Sequence, residues 1–402
     1  MSRRLPLEGV LVADFSRVLA GPLATMTLAD LGATVIKVER PGSGDDTRAW
    51  GPPWTTHASS YFECVNRSKR SVVLDLADPD DRAKAQELAR RADVVVENFR
   101  PGVLGKYGLD YESVRAANPG VIYCSITGFG REGGAHLTGY DFVVQAVGGL
   151  MHITGHPDGE PTKVGVALVD VLTGKDAVIG ILAALRHRER TGEGQRVEVD
   201  LFSSCLGALV NQAAGYLATG RSPGRLGNQH PSIAPYQTLR CADGLLAVAV
   251  GNDAQFRVFT RILGRPELAD DPRFATNPAR VEHRDELAAA LEAALAARRV
   301  AEWEADLRAA GIPCGQVNDI GQAIAFATEL GLEPVHDLGE EYLPQVRNPV
   351  RLSATPPAAP APPPRLGEHT DEVLAWLSTP DGPLPPPLRA AAGGAARQEN
   401  DE

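Results

Sequence analysis

The sequence has few of the residues that build disulfide scaffolds or metal sites. Its 402 residues include five cysteines, Cys64, Cys124, Cys205, Cys241 and Cys314. Their number is odd, their spacing is wide, and no CxxC pair or His/Cys cluster occurs, so neither a disulfide framework nor a zinc site is expected. Free thiols in a reducing cytosol are the plain reading, and a cytoplasmic location is expected. No run reaches the ~20 apolar residues of a membrane helix. The N-terminal MSRRLPLEGV has arginines but no apolar stretch of signal-peptide length. Positive charge is in deficit, with a formal net charge of -11. Aromatic residues make up 5% of the chain. A nucleic-acid partner, which needs a basic face and stacking rings, is therefore not expected. A few local cations would still suffice for a phosphorylated ligand.

What is present reads as a layered α/β protein. The length favours two domains over one core. The first two hundred residues alternate strand and helix signals. Strands are expected at 10–14, 34–38, 93–96, 121–125 and 195–201. Helices are expected at 23–31, after a cap at Asp80 or Asp81, and at 170–188. A helix over 205–217 leads to a Gly- and Pro-rich stretch, 220–236. Beyond it, a strand at 245–250 and helical patterns over 256–263 and 281–309 make a smaller unit. Residues 355–364 are Pro/Ala-rich and extended, and a last helix covers 371–377. The remainder is polar and rich in Pro, Ala and Gly, the composition of a disordered tail.

Four features bear on chemistry. The first β-α-β unit ends its second strand in Glu39, where a dinucleotide site would place its ribose-binding acid. Its loop reads DFSRVLAGPLAT, without GxGxxG, so a purely structural unit outweighs a nicotinamide site by roughly ten to one. Arg17, Arg40 and Arg100 each follow an expected strand, at the sheet end where ligands bind. Spacing alone favours solvated loop charges by about two to one. Asp170 is the single carboxylate in the apolar run VGVALVDVL. A helix N-cap outweighs a partly desolvated nucleophile there by about five to one. His230, Cys314, Ser203 and Ser204 lack partners or the GxSxG turn.

Eight segments in order, between residue 6 and about 377, resemble the family III coenzyme A transferases. They are LEGVLVADFSRVLAGP, LGATVIKVERPGSGDDTR, NRSKRSVVLDL, VENFRPGVLGKYGLD, GYDFVVQAVGGL, GILAALRHRERTGEGQ, GIPCGQV and LGEHTDEVL. The resemblance implies that Asp170 is the nucleophile. It implies a CoA site from Arg17, Val18, Leu19, Arg40, Leu74, Asn98, Phe99, Arg100, Lys106 and Tyr140. It points to Asn228, Gln229 and His230 as a substrate loop, most like that of succinyl-CoA-dependent dicarboxylate transferases. Formyl-CoA transferases carry Gln at the position of Leu19 and glycines in that loop, so formate is not the expected acceptor. The related α-methylacyl-CoA racemases supply the alternative activity. Their catalytic His falls at Tyr140 here, a poor base at neutral pH, and transfer is favoured over racemisation.

The implied fold is a Rossmann-like large domain plus a smaller α+β domain, in an interlocked ring-shaped homodimer. The expected boundaries are 1–204 for the first part of the large domain and 205–224 for a linker. The small domain covers 225–330, a return segment 331–378, and the tail 379–402. No metal and no tightly bound cofactor are implied; acyl-CoA and a carboxylic acid are the substrates.

Overall fold

Short Val- and Ile-rich runs between helices become a parallel sheet whose first five strands are buried on both faces, the sixth being half-buried. The computed structural model describes residues 5–357, 359–379 and 382–390. The chain forms two compact units, one drawn from Met1–Gly148, Gly165–Val210 and Glu333–Glu402, the other from Gly149–Val164 and Asn211–Leu332.

The first unit starts β1 (Leu11–Asp14), α1 (Ala20–Asp30), β2 (Thr34–Glu39), α2 (Ser60–Glu63), β3 (Lys69–Val73) and α3 (Pro79–Arg91). It continues β4 (Val94–Glu97), α4 (Tyr111–Ala117), β5 (Ile122–Thr127) and α5 (Asp141–Val147). The chain enters the second unit at α6 (Leu150–Ile153) and returns in α7 (Leu168–Thr191), β6 (Gln195–Asp200) and α8 (Leu201–Ala208). The strand order is β3-β2-β1-β4-β5-β6, and every pair is parallel. Sequence order reverses between β1 and β4, the switch point beside which open α/β sheets bind ligands.

One face of the sheet packs Ala85 and Leu88 of α3 and Val114 of α4 against Leu11, Ala13 and Val95. Each buried Leu or Val among them contributes roughly 1.5–3 kcal/mol. On the other side α1 and α7 pack closely, because a Cβ on Gly174 would stand 2.7 Å from the Ala20 carbonyl oxygen.

The structure departs from the sequence reading at several elements. The strand β3 falls in NRSKRSVVLDL, where the sequence reading assigns no element. It is buried because each charge has a partner: Lys69 pairs with Asp14 and Arg70 with Glu372. Helix α3 is capped by Asp78, which accepts from the amides of Asp80 and Asp81. Helix α1 begins at Ala20, its first turn rising from the loop after β1. The single helix read over 205–217 is two, α8 and α9 (Val210–Thr219), broken where Val210 takes φ 38°.

The second unit pairs β7 (Tyr236–Arg240), β8 (Leu245–Ala249) and β9 (Cys314–Gln316) antiparallel. Helices α10 (Asp253–Ile262), α11 (Asn277–Glu282), α12 (Arg284–Leu295) and α13 (Val300–Ala309) accompany them. Phe256, Phe259, Leu291 and Trp303 fill its core. A further helix, α14 (Ile320–Glu329), lies just beyond the helical pattern read from the sequence. The first unit then closes with a short hairpin, β10 (Val335–His336) and β11 (Gln345–Val346), and helix α15 (Thr370–Leu377).

Residues 382–390, which composition assigns to the tail, lie along this unit. Thr34 Oγ1 donates to the Pro385 carbonyl at 2.8 Å and Arg70 to the Pro386 carbonyl at 2.7 Å. Proline carbonyls retain full acceptor strength, so a Pro-rich strand can answer buried donors. Residues 380, 381 and 391–402 of the expected tail lie outside the described residues. Among the described residues, no helix is long and apolar enough to cross a membrane.

Candidate active site

The loop leaving β1 is fixed by charges beneath it. Lys37 is fully buried and donates to Asp45 Oδ2 at 2.9 Å and to the Ser16 carbonyl at 2.8 Å. Asp45 also accepts from the Val18 amide, 3.3 Å from each carboxylate oxygen. Burial alone would raise the Asp45 carboxyl, but Lys37 and the Thr47 hydrogen bonds overcome it and hold it at about 2. Alongside, Lys69 donates to Asp14 at 3.1 Å and to Asn66 at 2.8 Å, and burial pulls its ammonium down to about 8.

This support holds Val18 at φ 73°. A β-branched residue there costs of order 1–3 kcal/mol and persists only when its surroundings enforce it. The side chain of Asn98, at the end of β4, grips the same loop twice. Its Oδ1 accepts from the Arg17 amide at 2.9 Å, and its Nδ2 donates to the Arg17 carbonyl at 2.7 Å. The bond pair spans the switch point between β1 and β4.

A cleft of about 260 Å³ opens there. Its walls bring together Arg17, Val18, Leu19, Asn98, Phe99, Arg100, Tyr140 and Asp170. A second hollow of about 200 Å³ is lined by Arg17, Arg40, Leu74, Phe99, Val103 and Tyr107, among others. Arg17 and Phe99 therefore form the wall between the two, with the guanidinium 4.9 Å from the ring centroid. Arg17 and Arg40 both pair with Asp46. Arg100 donates to Thr138 Oγ1 at 2.6 Å. Lys106 is exposed on the 3-10 turn Leu104–Tyr107 and lines neither hollow.

Asp170 is the third residue of α7 rather than its N-cap, which is Ala167. Capping comes from elsewhere. Asp141, the first residue of α5, accepts the Val169 amide at 2.7 Å and the Asp170 amide at 3.2 Å on Oδ1. Its Oδ2 accepts from Gln145 at 2.6 Å. The Asp170 carboxylate is thereby spared that task, and no hydrogen bond reaches it among the described residues. Burial, and then the charge of Asp141, push it up to about 7. Tyr61 packs with Leu19 and Ala167 nearby, and burial followed by the Asp170 charge pushes its phenol up to about 12. The arrangement is a desolvated, basic carboxylate facing a cleft edged by arginines, with no histidine in the cleft wall.

Asn228, Gln229 and His230 belong to the second unit. Asn228 donates to Thr238 Oγ1 at 2.9 Å and Gln229 to Asp285 at 3.4 Å. The His230 ring lies 5.1 Å from that of Tyr236, and its Nδ1 accepts the Ser232 amide. Among the described residues, no group of three His, Cys, Asp or Glu side chains is placed to hold a metal ion.

Sequence reasoning misses Asp141, Asp45 and Tyr61. Asp141 reads locally as an acid in the first turn of its own helix, and its service to α7 is a tertiary contact. The other two carry no local signal.

Comparison with known proteins accords with this geometry. The family described as CoA-transferase family III matches residues 7–370. Succinate--glutarate CoA-transferase of Agrobacterium fabrum is 47% identical over 94% of this chain and 97% of that protein. Succinyl-CoA:glutarate CoA-transferase of Mus musculus is 44% identical over 92% and 86%. A crystal structure of a CAIB/BAIF family protein from Brucella suis is 46% identical. It covers 93% of this chain and 100% of its own, with a TM-score of 0.85.

Proposed function

This chain belongs to CoA-transferase family III and is a CoA-transferase; from that premise we propose that it moves CoA from succinyl-CoA to a dicarboxylate such as glutarate, with Asp170 as nucleophile. The carrying observation is the unbonded, basic Asp170 carboxylate at the cleft wall. The dicarboxylate assignment draws on the activities for which the two transferase relatives are named.

The reaction balances without ATP, metal or redox chemistry. Asp170 attacks the succinyl carbonyl, the C–S bond breaks, and CoA thiolate leaves a succinyl-aspartyl anhydride. The thiolate attacks the aspartyl carbonyl and releases succinate, leaving an aspartyl-CoA thioester. The acceptor carboxylate attacks that thioester and frees the thiolate. The thiolate then takes the acceptor's acyl group, and Asp170 is a carboxylate again. A carboxylate stripped of water and hydrogen bonds is a stronger nucleophile than a solvated one.

For CoA, the hollow between Leu74 and Tyr107 suits the adenosine end, with Arg40 and Arg17 for phosphates. The pantetheine arm would pass Arg17 and Asn98 to Asp170, with Val18, Leu19, Phe99, Arg100 and Tyr140 lining its path. Lys106 would add charge for the CoA phosphates, and Asn228, Gln229 and His230 of the second unit are proposed as binding residues for the acceptor acid. Racemisation is disfavoured because no imidazole faces Asp170 in the cleft wall.

Labelled succinate should exchange into succinyl-CoA only when enzyme is present, and glutaryl-CoA should appear when glutarate is added. Absence of exchange with every carboxylate of a panel, together with α-deuteration of a 2-methylacyl-CoA in heavy water, would point to the racemase instead. A homodimer, interlocked as the family resemblance implies, is the proposed assembly, and exposed Phe142 and Val147 on α5, Ile179 on α7 and Val210 on α9 support an apolar contact surface for it. Sedimentation should give twice the chain's mass; a monomer would contradict it. Five cysteines, none of them in a disulfide, support a reducing, cytoplasmic setting, which fractionation of the source cell would check.

A further inference from the structure

We propose that Asp141 is a positioning residue for the nucleophile, closing the N-terminus of α7 from outside so that Asp170 stays unbonded and faces the cleft. The inference rests on the nucleophilic reading of Asp170. A helix start leaves up to four amides without intrahelical partners. In α7 the N-cap is Ala167, which offers no side-chain acceptor. Asp170 sits at the third helical position, the one from which a capping-box carboxylate reaches back onto the capping residue's amide. That bond would draw the carboxylate away from the cleft and lower its basicity. Asp141 supplies the acceptor instead, with Oδ1 on the amides of Val169 and Asp170. Its Oδ2 is held by buried Gln145. Both oxygens of Asp141 are committed and both of Asp170 are free, which separates the two roles.

Other ionisable groups around Asp170 are few. Tyr61 approaches from α2. On α1 the acid is Asp30, bound to Arg67. Strand β6 carries Arg196, Glu198 and Asp200, of which Arg196 pairs with Glu198 and Asp200 caps α8. Helix α7 itself carries Lys175 and Asp176, and Asp176 accepts from Ser204 of α8. The cleft adds Arg17, Arg100 and Asp46, none bonded to Asp170. Asp141 is thus the charge whose removal acts most directly on the nucleophile.

The test compares kcat/KM against pH for the wild type, Asp141→Asn and Asp141→Ala, with hydroxylamine trapping of the acylated residue in each. Asn keeps an acceptor for the α7 amides and loses the charge. Its acid limb should move down by about one pH unit, with the alkaline plateau kept within about tenfold. Ala loses both, so its limb should move down and its plateau fall about a hundredfold. Its KM for acyl-CoA should stay within about threefold of the wild type. Superimposable acid limbs, or an Asp141→Ala plateau equal to that of Asp141→Asn, with Asp170 trapped normally in all three, would overturn the inference. Trapping of a residue other than Asp170 in the wild type would instead overturn the nucleophilic reading. If Asp141→Ala does not fold, the Asp141→Asn limb decides alone.

Discussion

Asp170→Asn should abolish CoA transfer, with a loss of at least about 10⁴-fold, while raising stability above pH 7. The two effects share one cause. The folded protein holds the Asp170 carboxyl at about 7, against 3.8 for an ordinary aspartate. Between those values the folded state binds more protons than the unfolded one, so stability falls as pH rises through the window. Above pH 7 the ionised side chain costs up to about 4 kcal/mol, taking 1.36 kcal/mol per pH unit. Asparagine removes the charge and the cost with almost no change of shape. Thermal unfolding at pH 8 and at pH 4 should show the variant stabilised by a few degrees at the higher pH and little changed at the lower. An equal Tm difference at both values would contradict the account. Wild-type transfer should itself climb as pH passes through about 7, as the carboxyl ionises.

Asp45→Ala should cost about 3–5 kcal/mol of stability and weaken CoA binding at least tenfold. Removing the carboxylate takes the ion-pair partner from the fully buried Lys37 ammonium and leaves it the Ser16 carbonyl as its hydrogen-bond acceptor. It also frees the Val18 amide and removes the bonds from Thr47 that start the 3-10 turn Asp46–Ala49. With its restraint gone, Val18 should leave the left-handed region, and the Arg17–Leu19 loop proposed to hold CoA should shift.

The pair Lys37→Met with Asp45→Leu separates these effects. Replacing both members by apolar residues removes the unpaired charge, so stability should largely return while CoA affinity does not. Calorimetry and a CoA titration on the single and double variants would check this. Full recovery of affinity in the double variant would refute the role assigned to Asp45. The carboxyl of Asp45 lies below its ordinary value, so its contribution is present above about pH 4. It is lost as pH falls towards 2, and the gap between wild type and Asp45→Ala should narrow only at strongly acid pH.

The sheet was largely legible because β1, β2, β4 and β5 are short apolar runs, the signature of strands covered on both faces. The strand β3 was not, because its Lys69 and Arg70 are buried by partners as distant as Glu372, a pairing invisible in a local window. The arginines at strand ends were readable as a group, and the structure sets Arg17 and Arg40 around one hollow and Arg100 with Arg17 around the other. Asp170 stood out as a carboxylate in an apolar run, but its local context argued for a cap. The cap is Asp141, 29 residues earlier in the chain. Which of two acids caps and which is left free is settled by packing between α5 and α7, and no periodicity encodes it.

The central claim is that Asp170 carries the acyl group and then CoA. Incubating the enzyme with succinyl-CoA, quenching with hydroxylamine and mapping peptides by mass spectrometry tests it most directly. The account predicts a hydroxamate at Asp170, dependent on succinyl-CoA and absent from Asp170→Asn. An unmodified Asp170 during active turnover, or a hydroxamate at another carboxylate, would contradict it.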